Sequence, residues 1–201
     1  MTELVFVRHG RTEINATGRL QGRLDASLDD LGERQARALA AEVGRRSEPI
    51  AAVVSSPLRR ALQTAAAFRA PIEVDERFVE LDYGDLDGVR LADVPVETWA
   101  EWRSDTSFRP PGGESLLDLG VRVRLGCEDW GSRGVDGAVV IVSHVSPIKA
   151  AVAWALGVGD EVSWRMRLDP ASITRIVADV AGADVRPSLH SFNEGSHLLE
   201  M

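Results

Sequence analysis

Leu4-Val5-Phe6-Val7-Arg8-His9-Gly10 is the stretch from which the fold can be read. Four apolar, β-favouring residues run unbroken into a cation, an imidazole and a glycine, which predicts a strand buried on both faces and ending at Arg8. Open α/β sheets bind ligands outside the carboxyl ends of their central strands. An imidazole held there can act as a nucleophile, and a guanidinium beside it can grip an anion with two parallel hydrogen bonds. A second apolar run, Ala138-Val139-Val140-Ile141-Val142, leads into Ser143-His144. It would bring a second imidazole to the same rim.

Working outward, apolar runs alternate with helical patterns. Ser27 and Asp30 suggest a weak capping box for a helix reaching about Arg46, and after Pro49 the run Ile50 to Val54 reads as a short strand. Pro57 suits the first position of a helix that carries Arg59 and Arg60 in its first turn and turns Leu62, Ala65, Ala66 and Phe68 inward. Ile72 to Val74 adds a strand. Glu80 to Gly88 reads as an acidic loop with Asp85 and Asp87 in solvent, Val94 to Trp102 as a helix, and Arg109 to Gly113 as a breaker. Glu114 and Ser115 open a helix to about Trp130 with Leu116, Leu119, Val123 and Cys127 on one side. Ala150 to Leu156 is helical, and Ile173 to Val177 and Pro187 to Phe192 read as strands. The alternation predicts an α/β fold, a three-layer α/β/α sandwich with a mostly parallel central sheet. Residues 1–201 read as one domain with a cap-like insertion at about 82–113.

Composition limits the partners. The 201 residues carry a net charge of −8, with no Lys/Arg cluster, which argues against nucleic acid. The most apolar later region, Ala138 to Val158, is interrupted by His144 and Lys149, so no membrane association is expected. The single cysteine, Cys127, reads as a buried hydrophobe, and with no leader visible a cytoplasmic location is the default expectation. The four histidines lack metal-ligand spacing and no Gly-rich nucleotide loop is present, so neither a metal nor another cofactor is expected. The oligomeric state is not legible, and a homodimer stays open.

The motifs stand in a characteristic order: Arg8-His9-Gly10 with Thr12 and Asn15, Arg19-Leu20-Gln21-Gly22, Ser55-Ser56-Pro57-Leu58-Arg59-Arg60-Ala61, Phe78-Val79-Glu80-Leu81-Asp82-Tyr83-Gly84, and Val140-Ile141-Val142-Ser143-His144. With them the chain resembles the histidine phosphatase superfamily, also called phosphoglycerate-mutase-like, from Leu4 to about Leu199. The resemblance implies that family's fold. It also implies His9 as the nucleophile that forms a phosphohistidine, and Arg8 and Arg60 as guanidinium forks on the phosphoryl oxygens. Glu80 would be the acid that protonates the leaving oxygen, and His144, in protonated form, would add a further positive charge. Arg60, directly before Ala61, matches the family arginine, which leaves Arg59 to solvent. Asn15, Gln21, Gly22 and Thr12 match substrate-binding positions. Where the family usually has glycine after the second histidine, this chain has Val145-Ser146-Pro147.

The function so implied is a cofactor-independent phosphomonoesterase acting on small phosphorylated metabolites through phospho-His9. One alternative is a phosphoglycerate-mutase-type phosphotransferase, whose relatives usually carry a longer insertion before the second histidine; the run Pro111 to Ser115 also looks like the phosphatase branch. Others are a non-catalytic phosphate-ligand-binding regulatory domain and a protein phosphohistidine phosphatase. Arg103 and Arg109 are candidates for a second anionic group, His190 and His197 fit no motif, and the five tryptophans read as core or lid packing.

Overall fold

The computed structural model describes residues 1–46, 49–181 and 184–199. Its strands are β1 (Thr2–Arg8), β2 (Ile50–Ser55), β3 (Ile72–Val74), β4 (Ala138–Ser143), β5 (Ile173–Ala181) and β6 (Asp184–Glu194). They form a six-stranded sheet in the order β3-β2-β4-β1-β5-β6. The pairings among β3, β2, β4 and β1 are parallel, and β5 and β6 add an antiparallel edge. The expected mostly parallel sheet is therefore present, with its exceptions confined to one side.

Period-two alternation divides the two central strands between two cores. Leu4 and Phe6 of β1, with Val139 and Ile141 of β4, enter one cluster; Val5 and Val7, with Val140 and Val142, enter the other. All eight are fully buried. Each such side chain contributes about 1.5–3 kcal/mol on burial, which is why an unbroken apolar run was informative.

The helices are α1 (Glu13–Ala16), α2 (Asp30–Arg46), α3 (Arg59–Ala65), α4 (Val96–Ser104), α5 (Leu116–Ser132) and α6 (Val145–Leu156). Leu39 and Val43 of α2 and Ala61 and Ala65 of α3 cover one face of the sheet. Leu119, Val123 and Cys127 of α5 and Ile148 and Ala151 of α6 cover the other. Cys127 is buried in that second core, and burial pushes its thiol pKa up. Trp102 and Trp130 are buried and Trp99, Trp154 and Trp164 pack against the same core. Among the described residues no helix is long and apolar enough to cross a membrane.

Several boundaries differ from those expected. The cap of α2 is Asp29, whose Oδ1 accepts the Gly32 N–H at 2.8 Å, while Ser27 is exposed and lies outside the helix. Helix α3 starts at Arg59, two residues beyond Pro57, and buries Arg60, Ala61, Thr64 and Ala65, while Ala66 is exposed. Alanines give too weak an apolar signal to set a helix's phase, and here a buried arginine sets it. Helix α4 lies two residues later than expected. Helix α6 starts five residues earlier than Ala150, with Pro147 inside its first turn, where a missing N–H leaves no intrahelical bond unmade.

The loop after β1 runs against the start of α2 so closely that side chains are excluded. A Cβ on Gly10 would lie 2.3 Å from the Gly32 carbonyl oxygen, and one on Gly32 would lie 2.0 Å from the Arg11 carbonyl oxygen. Alanine ordinarily stabilises a helix by up to about 1 kcal/mol over glycine. Gly32→Ala should do the reverse and destabilise by about 2 kcal/mol through backbone overlap. Urea unfolding at unchanged slope measures it, and a neutral or stabilised variant would show that the loop has room to shift.

Candidate active site

Three parallel strands deliver polar residues to one rim. His9 follows β1, Ser56 follows β2 and His144 follows β4, and all three are buried. The imidazole rings lie 5.0 Å apart between centroids, tilted by 58°. Arg60, fully buried in the first turn of α3, reaches between them. Its Nε–H is shared by His9 Nε2 and His144 Nδ1, each at 3.2 Å.

That shared donor fixes both tautomers. A guanidinium can only donate, so the two nitrogens facing it carry lone pairs. The proton of His9 is then on Nδ1, which donates to the Gly10 carbonyl at 2.7 Å. This carbonyl is the orienting acceptor that sequence motifs could not identify. The proton of His144 is on Nε2, which donates to Ser56 Oγ at 2.7 Å. Burial, then the Arg60 charge, holds the pKa of both imidazoles well below the ordinary value of 6.5. The protonated His144 expected from the resemblance is therefore not the form found here. His190 is exposed, and His197 donates to or accepts from nothing in this cluster, binding instead the Ala171 carbonyl at 3.0 Å.

The two arginines divide their work. Arg60 spends Nη1 on the Leu24 carbonyl at 2.7 Å and Nη2 on the Gly22 carbonyl at 2.8 Å, so its fork holds the loop instead of standing open. Arg8 donates Nη1 to the Leu168 carbonyl at 2.6 Å, and its buried Nε–H has no acceptor among the described residues. Burial lowers both guanidinium pKa values to about 10, which leaves them cationic at neutral pH. Arg59 is exposed, as expected, and sits against Asp25.

A cavity of about 340 Å³ is lined by Arg8, His9, Asn15, Gln21, Glu80 and Tyr83, among others. Gln21 Oε1 is held by Thr12 Oγ1 at 2.8 Å and Asn15 Nδ2 at 2.9 Å, and its buried Nε2 has no acceptor among the described residues. Thr12 caps α1 and Gly22 is enclosed by backbone, so these two support the wall and do not line the cavity. Asp87 is no solvated bystander. Its carboxylate accepts the N–H groups of Gly22, Arg23 and Leu24 at 2.7–3.0 Å and so fixes the loop that Arg60 grips.

Glu80 lines the same cavity as Arg8 and His9. Its Oε1 accepts from its neighbour Leu81 N at 2.8 Å and Ser146 N at 3.1 Å, and its Oε2 from Val145 N at 3.1 Å. The carboxylate thus caps α6 from 65 residues away, at the positive end of the helix dipole. The residues that replace the family's glycine supply these amides. Asp82 is turned elsewhere, capping the Gly84 N–H at 2.9 Å. Arg109 pairs with Asp118, and Arg103 lies over Trp99 and Trp164, so neither arginine of the 103–109 segment reaches the cavity.

Sequence comparison agrees with this geometry. The profile of the histidine phosphatase superfamily (branch 1) matches residues 4–188. A bifunctional protein of Mycobacterium tuberculosis is 42% identical over 181 residues, covering 86% of this chain and 49% of that protein. The chain thus spans about half the length of that relative. A glucosyl-3-phosphoglycerate phosphatase of Mycolicibacterium vanbaalenii is 42% identical over 168 residues, covering 77% of this chain and 74% of the relative. The structure of a mycobacterial glucosyl-3-phosphoglycerate phosphatase with VO3 superposes with a TM-score of 0.84 at 34% identity, covering 97% of this chain and 100% of that one.

The depressed imidazoles make stability depend on pH. The unfolded chain binds protons on His9 and His144 below about pH 6.5 while the folded protein does not, so acid favours unfolding. Stability should be flat above that pH as far as these groups are concerned. It should fall toward pH 5 by up to about 1.4 kcal/mol per pH unit for each imidazole. Urea unfolding at pH 5, 6, 7 and 8 measures the slope, and His144→Gln should reduce it; a slope of zero between pH 5 and 6.5 would contradict neutral buried imidazoles.

Proposed function

This chain belongs to the histidine phosphatase superfamily, and on that footing we propose that it is a phosphomonoesterase that uses His9 Nε2 as its nucleophile on small phosphorylated substrates. One observation carries the reading: Arg60 Nε–H and the Gly10 carbonyl together leave a neutral His9 with its Nε2 lone pair in the rim and its proton on the far nitrogen. That is the form a phosphoryl acceptor needs.

An incoming phosphoryl group meets the unpartnered Nε–H of Arg8, the unpartnered Nε2–H donor of Gln21 and the charge of Arg60. These neutralise its oxygens so that a nucleophile can approach. His9 Nε2 gives up its share of the Arg60 Nε–H, which stays on His144 Nδ1, and attacks phosphorus in line; the P–N bond forms as the P–O bond to the leaving alcohol breaks. A proton brought by the phosphate monoester as its monoanion passes to the Glu80 carboxylate and from it to the leaving oxygen. In the second half a water attacks phospho-His9, Glu80 takes the proton from that water and returns it to the departing phosphate, so both groups end as they began. His144 is neutral in the resting site, and the negative charge of a phosphoryl group opposes the Arg60 charge that helps to keep it so. Asn15 and Thr12 act through Gln21 by holding its oxygen and so aiming its amine.

We read residues 82–113 as a cap. The backbone pairs Leu20 with Val89, Gly88 with Leu20 and Leu91 with Gly18 in support, and α4 contributes Trp99 and Trp102 above the sheet.

Two variants test the assignment. His9→Ala should lose at least about 1,000-fold in phosphate release while still unfolding cooperatively, with a lower midpoint because Arg60 loses one acceptor; activity like that of the unaltered protein would end the nucleophile assignment. Glu80→Gln should lose about 100- to 10,000-fold on alkyl phosphates and much less on 4-nitrophenyl phosphate, whose leaving group needs little protonation. Equal losses on the two would remove Glu80 from the acid role.

A further inference from the structure

A second cavity, of about 170 Å³, adjoins the first and shares Leu20, Tyr83, Leu91 and Val145 with it. Its wall is aromatic. Trp99 and Trp102 stack at 5.7 Å between centroids and 17° between planes, and Trp164 meets them edge-on at 6.0 and 5.8 Å. Arg103 lies over Trp99 and Trp164 and braces the cluster. The buried indole N–H groups of Trp102 and Trp164 have no acceptor among the described residues.

One charged residue lines this aromatic space, and it is Lys149. It is the only lysine in a chain with 23 Lys and Arg residues. Its Nζ donates to the Ser163 carbonyl at 3.0 Å and makes no ion pair among the described residues. Burial lowers its pKa, opposed by the field of Glu80. A half-buried ammonium without a carboxylate is costly in such surroundings and is commonly completed by an anion.

Its position in the fold is equally specific. Val145 and Ser146 hold Glu80 through their N–H groups, and Lys149 stands one helical turn further along α6, about 5–6 Å away between Cβ atoms. The cavity that Glu80 lines therefore adjoins the one lined by the tryptophans and Lys149. An apolar cavity of about 150 Å³ admits benzene, so this one admits a single six-membered ring and its substituent.

We propose that this cavity receives the leaving group, and that Lys149 with the tryptophan wall selects phosphate esters of a ring-bearing alcohol that carries a carboxylate. The inference rests on the assignment of His9 and Glu80 above. Lys149 acts here as a specificity residue, pairing with the carboxylate while Trp99, Trp102 and Trp164 exclude water from the pair.

The test compares 4-carboxyphenyl phosphate with its neutral isostere 4-carbamoylphenyl phosphate. The unaltered protein should favour the carboxylate in kcat/KM by about 10- to 100-fold, the range of a charge-assisted hydrogen bond. Lys149→Met should collapse that ratio, mainly through KM, and Lys149→Arg should restore part of it. In parallel, the free alcohols 4-hydroxybenzoate and 4-hydroxybenzamide are titrated against tryptophan fluorescence, which needs no turnover. Preferential binding of 4-hydroxybenzoate that Lys149→Met abolishes, with neither ester hydrolysed, would support this site and overturn the phosphatase reading. Hydrolysis of both esters at equal efficiency, with equal binding of both alcohols, would overturn this site and leave the phosphatase reading standing. A Lys149→Met variant that melts earlier but keeps the ratio would reduce Lys149 to a tie between α6 and Ser163, and the proposal would fall.

Discussion

The hydrogen that Arg60 Nε shares between two imidazoles is the constraint on which the site depends. A guanidinium taken fully out of water loses several kcal/mol of hydration, and something must replace it. Here the replacement is made of backbone carbonyls at Gln21, Gly22 and Leu24 and two imidazole lone pairs, not a carboxylate. Carbonyl dipoles solvate the cation without cancelling it. The more distant fields of Glu80, Asp87 and Asp25 favour the cation, yet burial outweighs them. Both histidines consequently stay neutral, and the loop from Gln21 to Leu24 is fixed from one side by Arg60 and from the other by Asp87.

The same logic explains how a carboxylate can stand beside two buried cations without pairing with either. Glu80 is occupied by the N–H groups of Leu81, Val145 and Ser146. Arg8 meanwhile leans on the Leu168 carbonyl. Opposite charges close enough to feel each other are held apart by hydrogen bonds to backbone. A collapsed Arg–Glu bridge would fill the rim and neutralise it. Keeping the partners separate leaves a region of positive potential with unpaired donors, arranged before any anion arrives, so little reorganisation is needed when it does.

Much of this was legible in sequence, and the reasons for what was not are physical. Strands β1 and β4 announced themselves because burial on both faces demands unbroken apolar runs. Arg8, His9, Arg60, Glu80 and His144 were identified by motif, and the fold brings all five to one rim. What escaped were interactions between residues far apart in the chain. The early start of α6 depends on a cap 65 residues away, so no local pattern at Val145 could reveal it. Asp87 looks like any loop aspartate until the loop carrying Gly22 is laid against it. The phase of α3 is hidden from a hydrophobicity pattern because its inward face includes Arg60 and Thr64, which such a pattern discards. Lys149 left one trace, its solitude among arginines, and that trace has no meaning until the fold sets it on one cavity with three tryptophans.

The two cavities also differ in what positions them. His9, Ser56 and His144 sit at strand ends and inherit the rigidity of a sheet buried on both faces, whereas Trp99 and Trp102 stand on α4 and Trp164 on the 3-10 turn Asp160–Arg165. The chemical half depends on a shared proton donor, where an ångström of movement would break a hydrogen bond to one imidazole or the other. The aromatic half is held by stacking and by Arg103 over two rings, contacts that weaken gradually with displacement. Changes in the wall can therefore alter what is admitted without passing through Arg60. The exception is α6, which carries both Lys149 and the amides that hold Glu80; a shift of that helix would move the ammonium and the Glu80 carboxylate together.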